Sequence, residues 1–188
     1  MVDADVSGSA ITGADLRGAH LDRVDLSGRD LRDILLAGAN LQSASIADSD
    51  LRGADLSGVN LTNADVSDAR LTGAEFSHAT LASVDLSSLD LSGISFAGAD
   101  FSGSTLTDTN LSGCNLQNAI LAAADLSKTK LSGSNLSDAD LSGALIADVD
   151  LAGVQLAGAN LSGADLSRAV LKGKSLKGAN IRGATVVD

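Results

Sequence analysis

The chain is 188 residues long and carries 24 acidic against 13 basic residues, a net charge of −11 at neutral pH. It holds 20 glycines, one cysteine, three phenylalanines and no proline, tyrosine or tryptophan. A single cysteine excludes an internal disulfide framework and a thiolate metal cage, the scarcity of aromatics argues against the aromatic-walled pocket of an enzyme, and the acidity disfavours direct contact with nucleic acid or an anionic membrane.

From the N-terminus, Met1-Val2-Asp3-Ala4-Asp5 does not read as a signal peptide, and no apolar run approaches a membrane span. A cytoplasmic protein is expected. A period of five starts at once and never slips. Every fifth residue from Val6 through Ile11, Leu16 and Leu21 to Val186 is Leu, Ile, Val or Phe, 37 positions in all. Two residues before each lies a second column, beginning Ala4, Ser9, Ala14, in which 20 of 37 members are alanine. The residue between the two columns is Asp at 14 places and Asn at seven, and all 20 glycines stand two residues after the large apolar position.

An α-helix turns about 100° per residue, so a step of five scatters the leucines around its surface. A long straight strand sends successive leucines to opposite faces, because the step is odd. Within one repeat, however, the small and the large residue are two apart and share one side of an extended segment. The chain must then turn where Gly, Asn, Asp and Ser gather. No repeat buries its leucine alone, so the edges close into coils and the coils stack. The pattern predicts an all-β solenoid, with residues 1–188 as one uninterrupted unit and no separate capping domain.

Ala-Asp-Leu-Arg-Gly at 14–18, Ala-Asp-Leu-Ser-Gly at 54–58 and Ala-Asn-Leu-Ser-Gly at 159–163 resemble the pentapeptide-repeat family, and the resemblance covers essentially the whole chain. It implies a right-handed quadrilateral parallel β-helix with four repeats per coil and both apolar columns inward. For this length that is roughly nine coils and a rod about 45 Å long, at a strand spacing of about 4.8 Å.

Four repeats per coil stack residues 20 apart and define four faces, named here by Val6, Ile11, Leu16 and Leu21. Inside, Phe76 and Phe96 are expected to stack with Phe101 beside them, while Val84, Leu89 and Ile94 enlarge the alanine column into a bulkier mid-rod core rather than a pocket. Cys114 takes a small inward position and reads as an inert buried thiol. Arg29 and Lys174 are inward charges near the ends, expected to snorkel to solvent. His20 and His78 fall on different faces, so no imidazole metal site is expected. Asp and Ser recur as motif positions, which is unlike a unique catalytic constellation. The reading is a non-enzymatic protein without catalytic residues, cofactor or metal.

Charge is distributed unevenly. The Val6 face carries Asp5, Asp25, Asp65, Asp85, Asp125 and Asp165 in one row and Asp48, Asp68, Asp108, Asp148 and Asp188 in a second, against Lys128 and Arg168 only. Its net charge is −9, whereas the other faces are near neutral. The C-terminal stretch holds Arg168, Lys172, Lys174, Lys177 and Arg182 without an acid, while the first 16 residues hold three acids and no base. These features give two candidate contact regions, an acidic face and a basic C-terminal end.

Three functional readings follow. The first is a rigid scaffold for a protein partner. The second comes from the resemblance: some members of the family mimic DNA and bind bacterial type II topoisomerases (gyrase), inhibiting them or protecting them from quinolones and toxins. One acid per ~4 Å is sparser than the one charge per ~1.7 Å of duplex DNA, and the middle-column Asp has a corner-stabilising use of its own, so the scaffold reading is preferred. The third is end-to-end self-association through complementary end charges. An equally regular register would arise in a fragment of a longer protein or in a consensus design. Outward Leu35, Ile120, Leu145 and Val170 lie on four different faces and build no apolar patch.

Overall fold

The computed structural model describes residues 11–171 and 176–186. Each repeat has the same local form: the residue between the two inward side chains makes a β-bridge, and a two-residue turn follows. Every bridge among the described residues is parallel and joins a residue to the one 20 later, from Asp15–Leu35 to Asp165–Thr185. One coil is therefore four repeats, and the coils wind as a right-handed quadrilateral parallel β-helix. No described residue is helical, and no described helix is long and apolar enough to cross a membrane.

The ladder that stacks the coils is simple. The Leu16 amide donates to the Leu35 carbonyl at 2.8 Å, and the Leu35 amide donates back to Ala14 at 2.9 Å. A second bond closes most of the described corners: Ala19 N–H donates to the Leu16 carbonyl at 3.0 Å. The corner places the last residue of each repeat at positive φ, and all described positive-φ residues lie in that column. Glycine is favoured there, but Asn63, Asp48 and Ala123 adopt φ of 56–57° as well, so the corner tolerates a side chain wherever neighbouring contacts compensate the strain.

The interior is the large column closed by the small one. Leu31, Leu36, Leu41 and Leu51 are fully buried, as are Ala54 and Ala119. Phe96 lies 5.2 Å from Phe76 in the adjacent coil and 5.1 Å, edge-on, from Phe101, the stack expected from the 20-residue register. Two hydroxyls of the small column bond to backbone of the preceding coil, Thr109 Oγ1 donating to Leu86 O at 2.8 Å and Thr129 Oγ1 to Leu106 O at 2.7 Å, whereas buried Ser104 Oγ has no partner. Cys114 is buried, its thiol donates to Leu91 O at 3.0 Å, and burial pushes its pKa up to about 11, which leaves the thiolate scarce and the sulfur inert. Arg29 is half-buried, and Lys174 lies outside the described residues. At the C-terminal coil the protection ends: Leu171, Ile181 and Val186 are exposed.

The ladder is interrupted at two places. Among the described residues, no bridge joins 65 to 85, 70 to 90, or 130 to 150.

Candidate protein-interaction surface

The acidic rows follow from the corner chemistry. In each Asp-Leu-Ser repeat the aspartate is outward, and its Oδ1 accepts the amide and often the hydroxyl of the serine two residues on. Asp25 accepts Ser27 N at 2.9 Å and Ser27 Oγ at 2.6 Å. Asp65 accepts Ser67 N at 3.1 Å and its Oγ at 2.7 Å. Asp85, Asp125 and Asp165 accept the amides of Ser87, Ser127 and Ser167, each at 2.9 Å. This is an Asx turn, and it gives the middle-column Asp a structural role. In Asp65 and Asp85 these bonds fall on Oδ1, leaving Oδ2 outside the turn. The serines that saturate Oδ1 were not singled out from sequence, although Asp-Leu-Ser recurs there.

The second row is built differently. Asp48, Asp68, Asp108 and Asp148 occupy the corner itself, at φ of 57°, 55°, 59° and 61°, a conformation Asp tolerates better than most residues. All four are exposed. Asp148 is closed by a cation from the next coil: Arg168 Nε and Nη2 donate to its two oxygens, each at 2.6 Å. Arg168, counted from sequence both on the Val6 face and in the basic end, neutralises one acid of that face. The stretch without an ion pair runs from Asp48 through Asp65, Asp68, Asp85 and Asp108 to half-buried Asp125. Asp5, Lys172, Lys174 and Asp188 lie outside the described residues; Lys177 and Arg182 are exposed on the last coil.

The neighbouring faces treat their aspartates in another way. Arg32 reaches back to Asp30 at 2.6 Å, Arg52 to Asp50 at 2.6 Å and Arg17 to Asp15 at 2.7 Å. An arginine two residues after the aspartate closes both carboxylate oxygens, whereas a serine closes one. The sequence alternatives Asp-Leu-Arg and Asp-Leu-Ser therefore decide whether a repeat presents negative charge.

These bonds hold the carboxylates ionised. Hydrogen bonds from Arg17 and Arg32 pull Asp15 and Asp30 down from the usual 3.8 to about 2. Bonds from Ser27, Ser87 and Ser167 lower Asp25, Asp85 and Asp165, and Arg168 lowers Asp148. At Asp125 desolvation opposes ionisation, but the Ser127 bonds prevail and the shift is downward. Each of these groups has a lower pKa folded than unfolded. The unfolded chain therefore binds more protons in acid, and the contribution present above the unfolded pKa is lost as pH falls through the folded one. The melting temperature is expected to be level above about pH 5 and to fall steadily towards about pH 2. A melting temperature followed by circular dichroism that stays level across that window would contradict these bonds.

A family model described as pentapeptide repeats matches in overlapping copies across residues 1–186. Among solved structures, the chain is similar to HetL, a pentapeptide repeat protein involved in heterocyst differentiation regulation in the cyanobacterium Nostoc sp. strain PCC 7120. The two share 29% identity over 97% of this chain and 89% of HetL, with a TM-score of 0.76. A trypsin-treated form of QnrB1, a plasmid-mediated fluoroquinolone resistance protein, shares 20% identity over 92% of this chain and 90% of its own, with a TM-score of 0.49. Rfr23, a pentapeptide repeat protein from the cyanobacterium Cyanothece 51142, shares 26% identity over 65% of this chain and 84% of its own, with a TM-score of 0.38. A search of curated protein sequences finds no match.

Proposed function

Because the chain belongs to the pentapeptide-repeat family, we propose that it is a non-enzymatic rod that presents the carboxylates of its Val6 face to a basic protein partner. One observation carries this reading: Asp65, Asp68 and Asp85 make no ion pair, while Asp30 and Asp50 on the next face are closed by Arg32 and Arg52. Carboxylates anchored on the stacked coils of the rod are held in rows along one side without the partner having to gather them, which lowers the entropic cost of association. Such a field steers a cationic surface towards one side of the rod and weakens with salt. The test is capture of a partner by the intact rod at low and high salt, compared with a rod neutralised at Asp65, Asp68 and Asp85. Capture that is insensitive to both salt and neutralisation overturns the reading.

A narrower form is mimicry of DNA towards a type II topoisomerase. The two parallel rows of carboxylates on one side of the rod favour it, since they offer negative charge in lines as two phosphate strands do. In a supercoiling assay with purified gyrase, the rod is expected to inhibit, or to shield the enzyme from a quinolone. Unchanged supercoiling in both arms removes the mimicry and leaves the scaffold reading intact.

A further inference from the structure

We propose that the rod contains two built-in hinges, at which neighbouring coils part along the Ile11 face while remaining stitched along the opposite, Leu21 face. The cause lies in the alanine column. Where that column holds alanine, the corner bond runs from 2.8 Å at Ala64 to 3.2 Å at Ala69 and Ala139. At Ile34 and Val59 it is 3.2 Å, within that range, and at Ser49 it is 3.3 Å, and the described ladder around all three stays whole. In residues 81–100 three large residues follow one another, and the corner bonds at Val84, Leu89 and Ile94 all reach 3.3 Å. In residues 141–160 Val149 and Val154 are consecutive, and Val149 makes no corner bond at all while that of Val154 is 3.2 Å.

The ladder fails where these clusters meet the coil before them. Among the described residues, the amides of Val66, Leu71, Asp85 and Asp90 donate to no backbone carbonyl, and neither do those of Leu131 and Asp150. An open crevice of about 270 Å³ marks each site. The first is lined by Asp65, Asp85 and Leu89, and the second by Lys128, Leu131 and Asp150. Leu89 is not fully buried and lines the first crevice, as a wedge does when its pocket is too small. Across the rod the same coils are held tightly: Leu81 N–H donates to Asp100 O at 2.6 Å, and Leu141 N–H to Asn160 O at 2.7 Å. Opening on one face with closure on the opposite face is a hinge whose axis lies along the closed side. Both openings include the Ile11 face, so their bends add. The first also separates Asp65 from Asp85, which makes the spacing of these carboxylates adjustable. The hinge stands whether or not the acidic face docks a partner.

Residue-resolved amide hydrogen exchange on the full chain tests this, because a parted ladder exposes specific amides without global unfolding. The amides of Val66, Leu71, Asp85, Asp90, Leu131 and Asp150 are expected to exchange at least about tenfold faster than those of Leu81 and Leu141 in the same coils. Equal protection overturns the hinges without any variant being made. Leu89→Ala removes the first wedge and is expected to slow exchange at Val66, Leu71, Asp85 and Asp90 by about tenfold, leaving Leu131 and Asp150 unchanged. Val149→Ala is expected to act on the second pair alone. Exchange at the first four amides that does not slow in Leu89→Ala, or that rises together with Leu81 and Leu141, shows that Leu89 is ordinary core packing and overturns the wedge.

Discussion

Phe96→Ala is expected to lower the stability of the rod by about 3–5 kcal/mol, the range for truncating a buried aromatic. Phe96 is 1% exposed and holds its rings against Phe76 and Phe101, at 5.2 and 5.1 Å. These contacts add to the transfer cost, because tilted and edge-on ring pairs contribute beyond area. The coil above restricts collapse into the vacated space: Phe96 N–H donates to Asn115 O at 2.7 Å. Phe96→Leu is the control. Leucine fills this column nearly everywhere else, so it fits the coil, and the expected loss is only about 1 kcal/mol. In a solenoid each coil touches only its neighbours, so a void at Phe96 weakens the coupling between the two halves of the rod. Urea unfolding followed by circular dichroism is therefore expected to show a lower midpoint and, in Phe96→Ala, a shallower slope. An unchanged midpoint in Phe96→Leu would show that the aromatic stack contributes nothing particular, and equal shifts in the two variants would show that the vacated volume does not matter.

The stack is legible in the sequence alone, and so are the coils, because both depend only on the period. A strict repeat of five with one small and one large inward residue admits few backbones, and stacking by 20 places Phe76 beneath Phe96 without further information. The Val6 face was legible for the same reason. What the period did not carry were interactions that depend on side-chain reach and on the sum of volumes within a coil. Arg168 and Asp148 are 20 apart and on the same face, yet the closed pair needs an arginine conformer that bends along the rod axis, and Lys128 in the same column makes no such ion pair. Val84, Leu89 and Ile94 were readable as bulk. Val59 alone leaves the ladder whole, and the described ladder parts beside runs of consecutive large aliphatic residues in that column, Val84 with Leu89 and Ile94, and Val149 with Val154. The corner role of Asp was foreseen in kind, but the division of labour between Oδ1 and Oδ2 rests on the serine or arginine two residues on. That detail separates a carboxylate spent on its own coil from one with an oxygen left for a partner.

Neutralising Asp65, Asp68 and Asp85 together with asparagine is expected to weaken partner capture by about tenfold or more while changing stability by less than about 1 kcal/mol. The substitution is gentle because this chain already uses asparagine in both environments. In the middle column Asn60 Oδ1 accepts Thr62 N at 3.0 Å and Thr62 Oγ1 at 2.7 Å, the same bonds Asp65 makes to Ser67. At the corner Asn63 and Asn118 hold φ of 57° and 58°, close to the 55° of Asp68. Shape and hydrogen bonding survive, and three charges disappear. An exposed pair contributes about 0.2–1 kcal/mol, and charges aligned across an interface contribute more, so three together correspond to about tenfold or more. Steering acts on encounter, so the loss is expected mainly in the association rate and is expected to shrink as salt rises. The matched control is Asp30→Asn with Asp50→Asn, which frees Arg32 and Arg52 on the adjacent face and shifts the net charge of the rod in the same direction. If binding follows total charge, both variants weaken it. If the Val6 face is the contact, only the first does, and surface plasmon resonance against the captured partner at two salt concentrations separates the outcomes. Loss of binding in the Asp30 and Asp50 variant alone would move the interface to the Ile11 face.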